Sequence, residues 1–262
     1  MDGLWGGTAV RVCAILTLAL ALLALVLRGW PSAALPGLRR ALVLQSGGAA
    51  QPPGGGCGRT LSLTPPDQRE DIADILESMG AKTGAELGVQ RGIFAEQVLA
   101  RWRGCTQYHL VDVWAHQQIN YQVGSNVDDK THNEYLEETK ARMAKFPAAV
   151  FHRMYTSDAA KLIPDGSLDF VYVDARHDYC GSRQDLELYW PKLRPGGLLA
   201  GHDFARAADG PKGGNWSLCA DGTVNPGAVR GAVEDFVRGK GLDVVATLRD
   251  RWPSYMIMKP LC

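Results

Sequence analysis

The chain has 262 residues, of which 46% are hydrophobic and 21% charged, enough to build a full core for one α/β domain with appendages or two small domains. Its 28 Lys and Arg balance 28 Asp and Glu, so it has no basic field of the kind that holds nucleic acid, and a nucleic-acid substrate is set aside. Six cysteines, at 13, 57, 105, 180, 219 and 262, include no C-x-x-C pair, which argues against a zinc ribbon or a thioredoxin motif and leaves any disulfide pairing open.

Val12 to Leu27 is apolar except for Thr17 and is bracketed by Arg11 and Arg28. As a helix it would span roughly 24 Å against a hydrocarbon core of roughly 30 Å, between a signal-peptide core and a minimal membrane anchor. The expectation is a single-pass signal anchor that ties the protein to a membrane, with a cleaved signal peptide or an organellar targeting segment as alternatives. Arg28, Arg39 and Arg40 outweigh Arg11 and point the C-terminal part to the cytoplasm, whereas Asn215-Trp216-Ser217 is a glycosylation sequon with meaning only in the secretory lumen. The lumenal orientation is the one expected. Ser46 to Gly58 holds six Gly and two Pro in thirteen residues and reads as a linker. This divides the chain into a targeting segment over 1–45, a linker over 46–60 and a folded domain over 61–262.

Within that domain Asp67 to Met79 carries Ile72, Ile75 and Leu76 at helical spacing, with Pro66 before it and Gly80 after it. Ala85 to Val89 is then an apolar strand, Ile93 to Trp102 an amphipathic helix, and a second strand ends at Asp112. This is a βαβ unit whose turn, Glu86-Leu87-Gly88-Val89-Gln90-Arg91-Gly92, has the form E-x-G-x-x-x-G and lacks the dinucleotide fingerprint G-x-G-x-x-G. Glycines at 88 and 92 let the backbone turn sharply and a ligand approach closely, and Asp112 stands where a carboxylate can accept both hydroxyls of a ribose. The turn and its acid resemble the first motif and the ribose-binding acid of class I S-adenosylmethionine-dependent methyltransferases.

Ala115 to Thr131 is a long polar loop, Asn133 to Phe146 a charged amphipathic helix, and Ala149 to Tyr155 a third strand. A short helix over Ser157 to Leu162 and the Asp165-Gly166 turn lead to a buried strand, Leu168 to Val173, that ends at Asp174. A helix over Ser182 to Trp190 and the turn Pro195-Gly196-Gly197 lead to a fifth strand, Leu198 to Ala200, that ends at Gly201-His202-Asp203. Ala205 to Asn225 is a Gly-rich loop, Val229 to Arg238 a helix, and Leu242 to Leu248 and Ser254 to Lys259 an antiparallel pair at the sheet edge. The alternation predicts an α/β fold, a mostly parallel seven-stranded sheet with helices on both faces.

Glu86, Asp112, Asp174 and Asp203 all fall at strand ends on the rim where such sheets bind ligands. Converging carboxylates repel one another, so they call for a cation. The sulfonium and amino group of S-adenosylmethionine suit the first pair, and Mg²⁺ or another divalent ion suits Asp174 with Asp203. His177 is placed to act as general base on a hydroxyl whose pKa the metal lowers.

The stretch LDFVYVDARHDYCGSRQDLELYWPKLRPGGLLAGHDF, Leu168 to Phe204, resembles the family 24 type of class I methyltransferase, and the likeness extends over roughly 68–260. It implies a Rossmann-like fold and a small-molecule O-methyltransferase. It further implies that Glu86 and Gly88 hold the methionine end of the donor, Asp112 the ribose, and Ser157 with Asp158 the adenine edge. Metal-dependent sugar O-methyltransferases of the macrocin type are similar in placing a histidine base three residues after an aspartate, as His177 follows Asp174. Asp203 matches the second of their later pair of acids, and His202 stands where the first would be. The acceptor expected is a small molecule or a glycan. A nicotinamide-dependent oxidoreductase is opposed by the missing fingerprint and the missing Tyr-x-x-x-Lys pair, and a non-catalytic module by the intact acids.

Overall fold

Period-two alternation along the strands divides the apolar side chains between two cores, one on each face of a single sheet. The computed structural model describes residues 62–261 apart from Ile119 and Gly213. Helix α1 (Ile72–Ser78) leads into β1 (Thr83–Leu87), α2 (Ile93–Arg101) and β2 (Gln107–Asp112). There follow α3 (Asp129–Met143), β3 (Ala149–Arg153), α4 (Thr156–Leu162), β4 (Leu168–Val173), α5 (Tyr179–Tyr189), β5 (Leu193–Gly201), α6 (Ala228–Arg238), β6 (Val245–Ala246) and β7 (Tyr255–Met258). The strand order is β3-β2-β1-β4-β5-β7-β6. β1 to β5 pair in parallel, whereas β7 runs antiparallel between β5 and β6.

On one face Tyr108, Leu110, Phe170, Tyr172, Leu198 and Met256 pack against α1, α2 and α3. On the other Val111, Val171, Val173, Leu199, Tyr255 and Ile257 pack against α4, α5 and α6. Burial on both faces explains why β4, Leu-Asp-Phe-Val-Tyr-Val, is apolar almost throughout. Strand order reverses between β1 and β4, so the crevice beyond their carboxyl ends is the place where this topology binds ligands.

The element boundaries differ from the sequence expectation where a side chain caps a helix. α3 begins at Asp129 rather than Asn133, because the Asp128 carboxylate accepts from Thr131 N and starts the helix earlier. α5 begins at Tyr179 rather than Ser182, because Asp178 accepts from Gly181 N. β5 starts five residues early, at Leu193, and reaches β4 through an irregular register between Leu168 and Phe170.

The expectation of a membrane-anchored, transmembrane protein is corrected. Among the described residues no helix is long and apolar enough to cross a membrane. The run over 12–27 on which the anchor and the lumenal orientation were built lies outside the described residues, as do the segments 1–45 and 46–60.

Candidate functional site

The turn after β1 opens the site because its backbone is bent in a way only glycine tolerates at the critical point. Gly88 has φ +85°, and a Cβ there would lie 2.1 Å from the carbonyl oxygen of Asp174 at the end of β4. Gly92 has φ +71°, and a Cβ there would stand 2.8 Å from the Thr139 methyl on α3. The two glycines draw the β1 turn down onto β4 and α3. They leave a cavity of about 460 Å³ over the carboxyl ends of the central strands.

Glu86, Gly88, Asp112, Ser157, Asp174 and His177 all line this cavity, and Gly92 shapes the turn beside it. Burial holds the Glu86 carboxyl well above its ordinary pKa, against the hydrogen bond it accepts from the Tyr108 hydroxyl at 3.0 Å. Asp112 spends one oxygen on Val89 N and Gln90 N, at 2.9 and 2.8 Å, and the other on Trp114 N at 2.8 Å. Three of its roughly four acceptor sites thus shape the turn, leaving about one for a ligand hydroxyl. Asp158 does not line the cavity: its carboxylate pairs with Lys161 at 2.7 Å on an exposed turn of α4. Its neighbours Thr156 and Ser157 take that wall, with Val113 and Met154 adding apolar surface for a flat ring.

At one end of the cavity Asp174, His177 and Asp203 bring one carboxylate oxygen, one ring nitrogen and one carboxylate oxygen within 4.8 Å of one another. His177 Nε2 is 3.0 Å from Asp203 Oδ2 and 3.8 Å from Asp174 Oδ1. The Tyr121 hydroxyl donates its proton to the Ala175 carbonyl at 2.8 Å, so its oxygen accepts from His177 Nδ1 at 3.3 Å. That bond assigns one proton to Nδ1 and aims Nε2 at two carboxylates, an arrangement that requires a proton or a cation between them. Against burial, which alone would lower it, Tyr121, Asp174 and Asp203 hold the His177 pKa well above its ordinary value. Against burial of the opposite sense, His177 and His202 hold the Asp203 carboxyl well below the usual carboxylate range. His202, which stands where the first of the later pair of acids would be, contributes an imidazole 3.1 Å from Asp203 Oδ1. Two carboxylates and an imidazole suit a divalent cation chemically.

Several residues at the site carry no local sequence signal. Tyr121 comes from a polar, aperiodic loop. Trp216 stacks on the His177 ring with centroids 4.9 Å apart, although it lies within the sequon and reads as a surface residue. A disulfide between Cys180 and Cys219 ties the loop bearing Trp216 to the first turn of α5. His132 on α3 lines the cavity, 7% exposed, with neither ring nitrogen hydrogen-bonded. Arg69, in the short 3₁₀ turn Arg69–Asp71 before α1, reaches the cavity from the start of the domain.

Residues 85–204 match the family model described as a methyltransferase domain, a span running from β1 to just beyond β5. A Corynebacterium glutamicum protein of solved structure is similar over 76% of this chain and 84% of its own, with a TM-score of 0.52 and 14% identity. An O-methyltransferase family protein from Burkholderia thailandensis is similar over 73% of this chain and 56% of its own, with a TM-score of 0.50 and 17% identity. At such identities these likenesses speak for the fold. A comparison with curated protein sequences finds no match. The match over residues 85–204 gives the chain a methyltransferase domain, and the glycine turn and strand-end acids around one cavity are the setting in which that domain would use S-adenosylmethionine.

Proposed function

We propose that the enzyme methylates a hydroxyl of a small molecule or glycan, and that a divalent cation held by Asp174 and Asp203 assists it. The observation that supports this reading is the Asp174–His177–Asp203 cluster at the end of the cavity, with Nε2 facing both acids. Methyl transfer to oxygen forms one carbon–oxygen bond, breaks the methyl–sulfur bond of the sulfonium and releases the hydroxyl proton. Asp174 and Asp203 would hold the cation, which supplies a Lewis acid that makes a bound hydroxyl easier to ionise. With a cation held by the two acids, His177, oriented through Nδ1 by Tyr121, would release its Nε2 proton and present that nitrogen as the proton acceptor. Trp216 and Tyr121 lie nearly parallel to the imidazole, with ring centroids 4.9 and 6.4 Å from its own. Glu86, Gly88, Gly92, Asp112 and Ser157 form the donor side, with the methionine end at Glu86 and Gly88 and the adenine beside Ser157 and Met154.

The test uses the full chain, S-adenosylmethionine and a panel of hydroxyl, amine and carboxyl acceptors, reading S-adenosylhomocysteine formed. Asp174→Asn, Asp203→Asn and His177→Ala should each lower turnover by roughly 10²-fold or more while S-adenosylhomocysteine still binds. Turnover should also vanish in excess chelator and return with added Mg²⁺ or Mn²⁺. Undiminished turnover in chelator would remove the metal from the reading, and methylation confined to amines would remove the hydroxyl.

A further inference from the structure

We infer that Arg69 is a donor-binding residue that takes the α-carboxylate of the methyl donor's methionine moiety. The inference rests on the reading that the methionine end lies at Glu86 and Gly88. Arg69 lies upstream of the matched span 85–204.

The chemistry calls for such a residue, because the methionine end carries a carboxylate as well as an ammonium, and the strand-end groups named so far are acids. Among the described residues three arginines line the cavity: Arg69, Arg91 and Arg176. Arg91 is committed to Glu138, with Nε 2.7 Å from the carboxylate. Arg176 is committed through Nε to Asp178 at 2.6 Å and lies over the Tyr121 ring, 5.3 Å from its centroid, with Nη2 buried and without a hydrogen-bond partner. Arg69 is held more loosely, 3.5 Å from Glu70 and 4.0 Å from Asp174 Oδ2, with a quarter of its side chain exposed. Its guanidinium lies over the Phe94 ring, 5.2 Å from the centroid, which fixes the plane without using its N–H donors. Arg69 is also close enough to Glu86 for its charge to act on that carboxyl. A carboxyl and a guanidinium therefore face the same end of the cavity, an acceptor for the ammonium and a donor for the carboxylate of an amino-acid head group.

The placement is built. The Arg69 amide donates to the Asp250 carboxylate at 2.9 Å. Leu248 N and Arg249 N donate to the carbonyls of Pro66 and Asp67 at 3.1 and 2.9 Å. The loop between β6 and β7 thus clamps the segment that carries Arg69, and holds the guanidinium over the end of β4.

Calorimetric titration of the full chain with two ligands tests the assignment. S-adenosylhomocysteine carries the carboxylate, and 5′-methylthioadenosine keeps the adenosine and thioether but lacks the amino-acid head. Arg69→Met should weaken S-adenosylhomocysteine by about 10- to 100-fold and leave methylthioadenosine within about twofold, with Arg69→Lys between the two proteins. An equal loss for both ligands would show a purely structural role for Arg69 and overturn the assignment. Unchanged S-adenosylhomocysteine affinity in Arg69→Met would overturn it too. If the unaltered chain bound neither ligand, the donor reading itself would fall and the assignment with it. An Arg69→Met chain that does not fold is replaced by Arg69→Gln, judged by the same ratio of the two affinities.

Discussion

Asp185 on α5 shows how a single side chain couples a wall of the cavity to pH. It is 2% exposed and accepts from the Thr156 hydroxyl at 2.6 Å, and Thr156 lines the cavity. Burial pushes its carboxyl up to about 7, against the pull of the Thr156 bond. In the unfolded chain the same carboxyl titrates near about 3.9, so between roughly pH 4 and 7 the fold keeps a proton that the unfolded chain has released. Stability through this group is therefore present at low pH, falls as pH rises across that window and is flat above it. Urea unfolding of the unaltered chain and of Asp185→Asn at pH 4.5 and 7.5 should differ in their pH dependence by roughly 2–4 kcal/mol, with the unaltered chain losing more on going up. Identical pH dependence in the two proteins would mean that Asp185 is ionised in the fold. Asp169 is its counterpart at the opposite end of the sheet. Its carboxylate binds the Lys82 and Thr83 amides and pairs with Arg194, which keeps it ionised and makes it a fastener for the start of β1.

At the scale of elements the disulfide decides how the His177 end of the cavity is walled. Cys180 sits in the first turn of α5, three residues after His177, and Cys219 lies 39 residues further along in the loop that carries Trp216. Closing a loop of that length removes unfolded-chain entropy worth about 2–4 kcal/mol. Cys219→Ser should lower unfolding stability by about that amount and raise KM for the acceptor. S-adenosylhomocysteine affinity should hold within about twofold, because the donor wall proposed above is made by β1, β2 and α4 instead. A matching loss of donor affinity would mean that the loop supports the whole cavity. The same pairing explains why the cysteine spacing was uninformative: 180 and 219 are separated by a helix, a strand and most of a loop, and only folding brings them together. The helix starts are another case. Asp128 and Asp178 are ordinary loop residues by composition, and become caps because the following amides point at them.

For the whole molecule the two ends of the folded domain meet beside the site. Asp250 near the C-terminus binds the Arg69 amide, so Asp250→Ala should cost about 1 kcal/mol of stability and weaken S-adenosylhomocysteine about three- to tenfold. In the double variant with Arg69→Met the second loss should largely disappear, since both changes act through one guanidinium. Full additivity in that cycle would separate the clamp from donor binding. Much of this architecture was legible in the chain. Short apolar runs bounded by turn residues mark the strands and period-3.6 patterns the helices between them, because burial on both faces of a parallel sheet and on one face of a helix is written locally. Glycines at 88 and 92 mark the turn, because a positive φ is a local demand that few other residues meet. Those local signals determined the fold class and the order of elements, and they mark the strand ends and glycine turn that line the cavity. The tertiary structure alone decided the rest: that Asp112 spends most of its acceptors on amides, two of them in the turn after β1, that Cys180 pairs with Cys219, and that Arg69 arrives from outside the βαβ core. The reason is that each of these depends on which atoms from distant segments share one small volume, and pairing across 39 or 181 residues leaves no periodic trace along the chain.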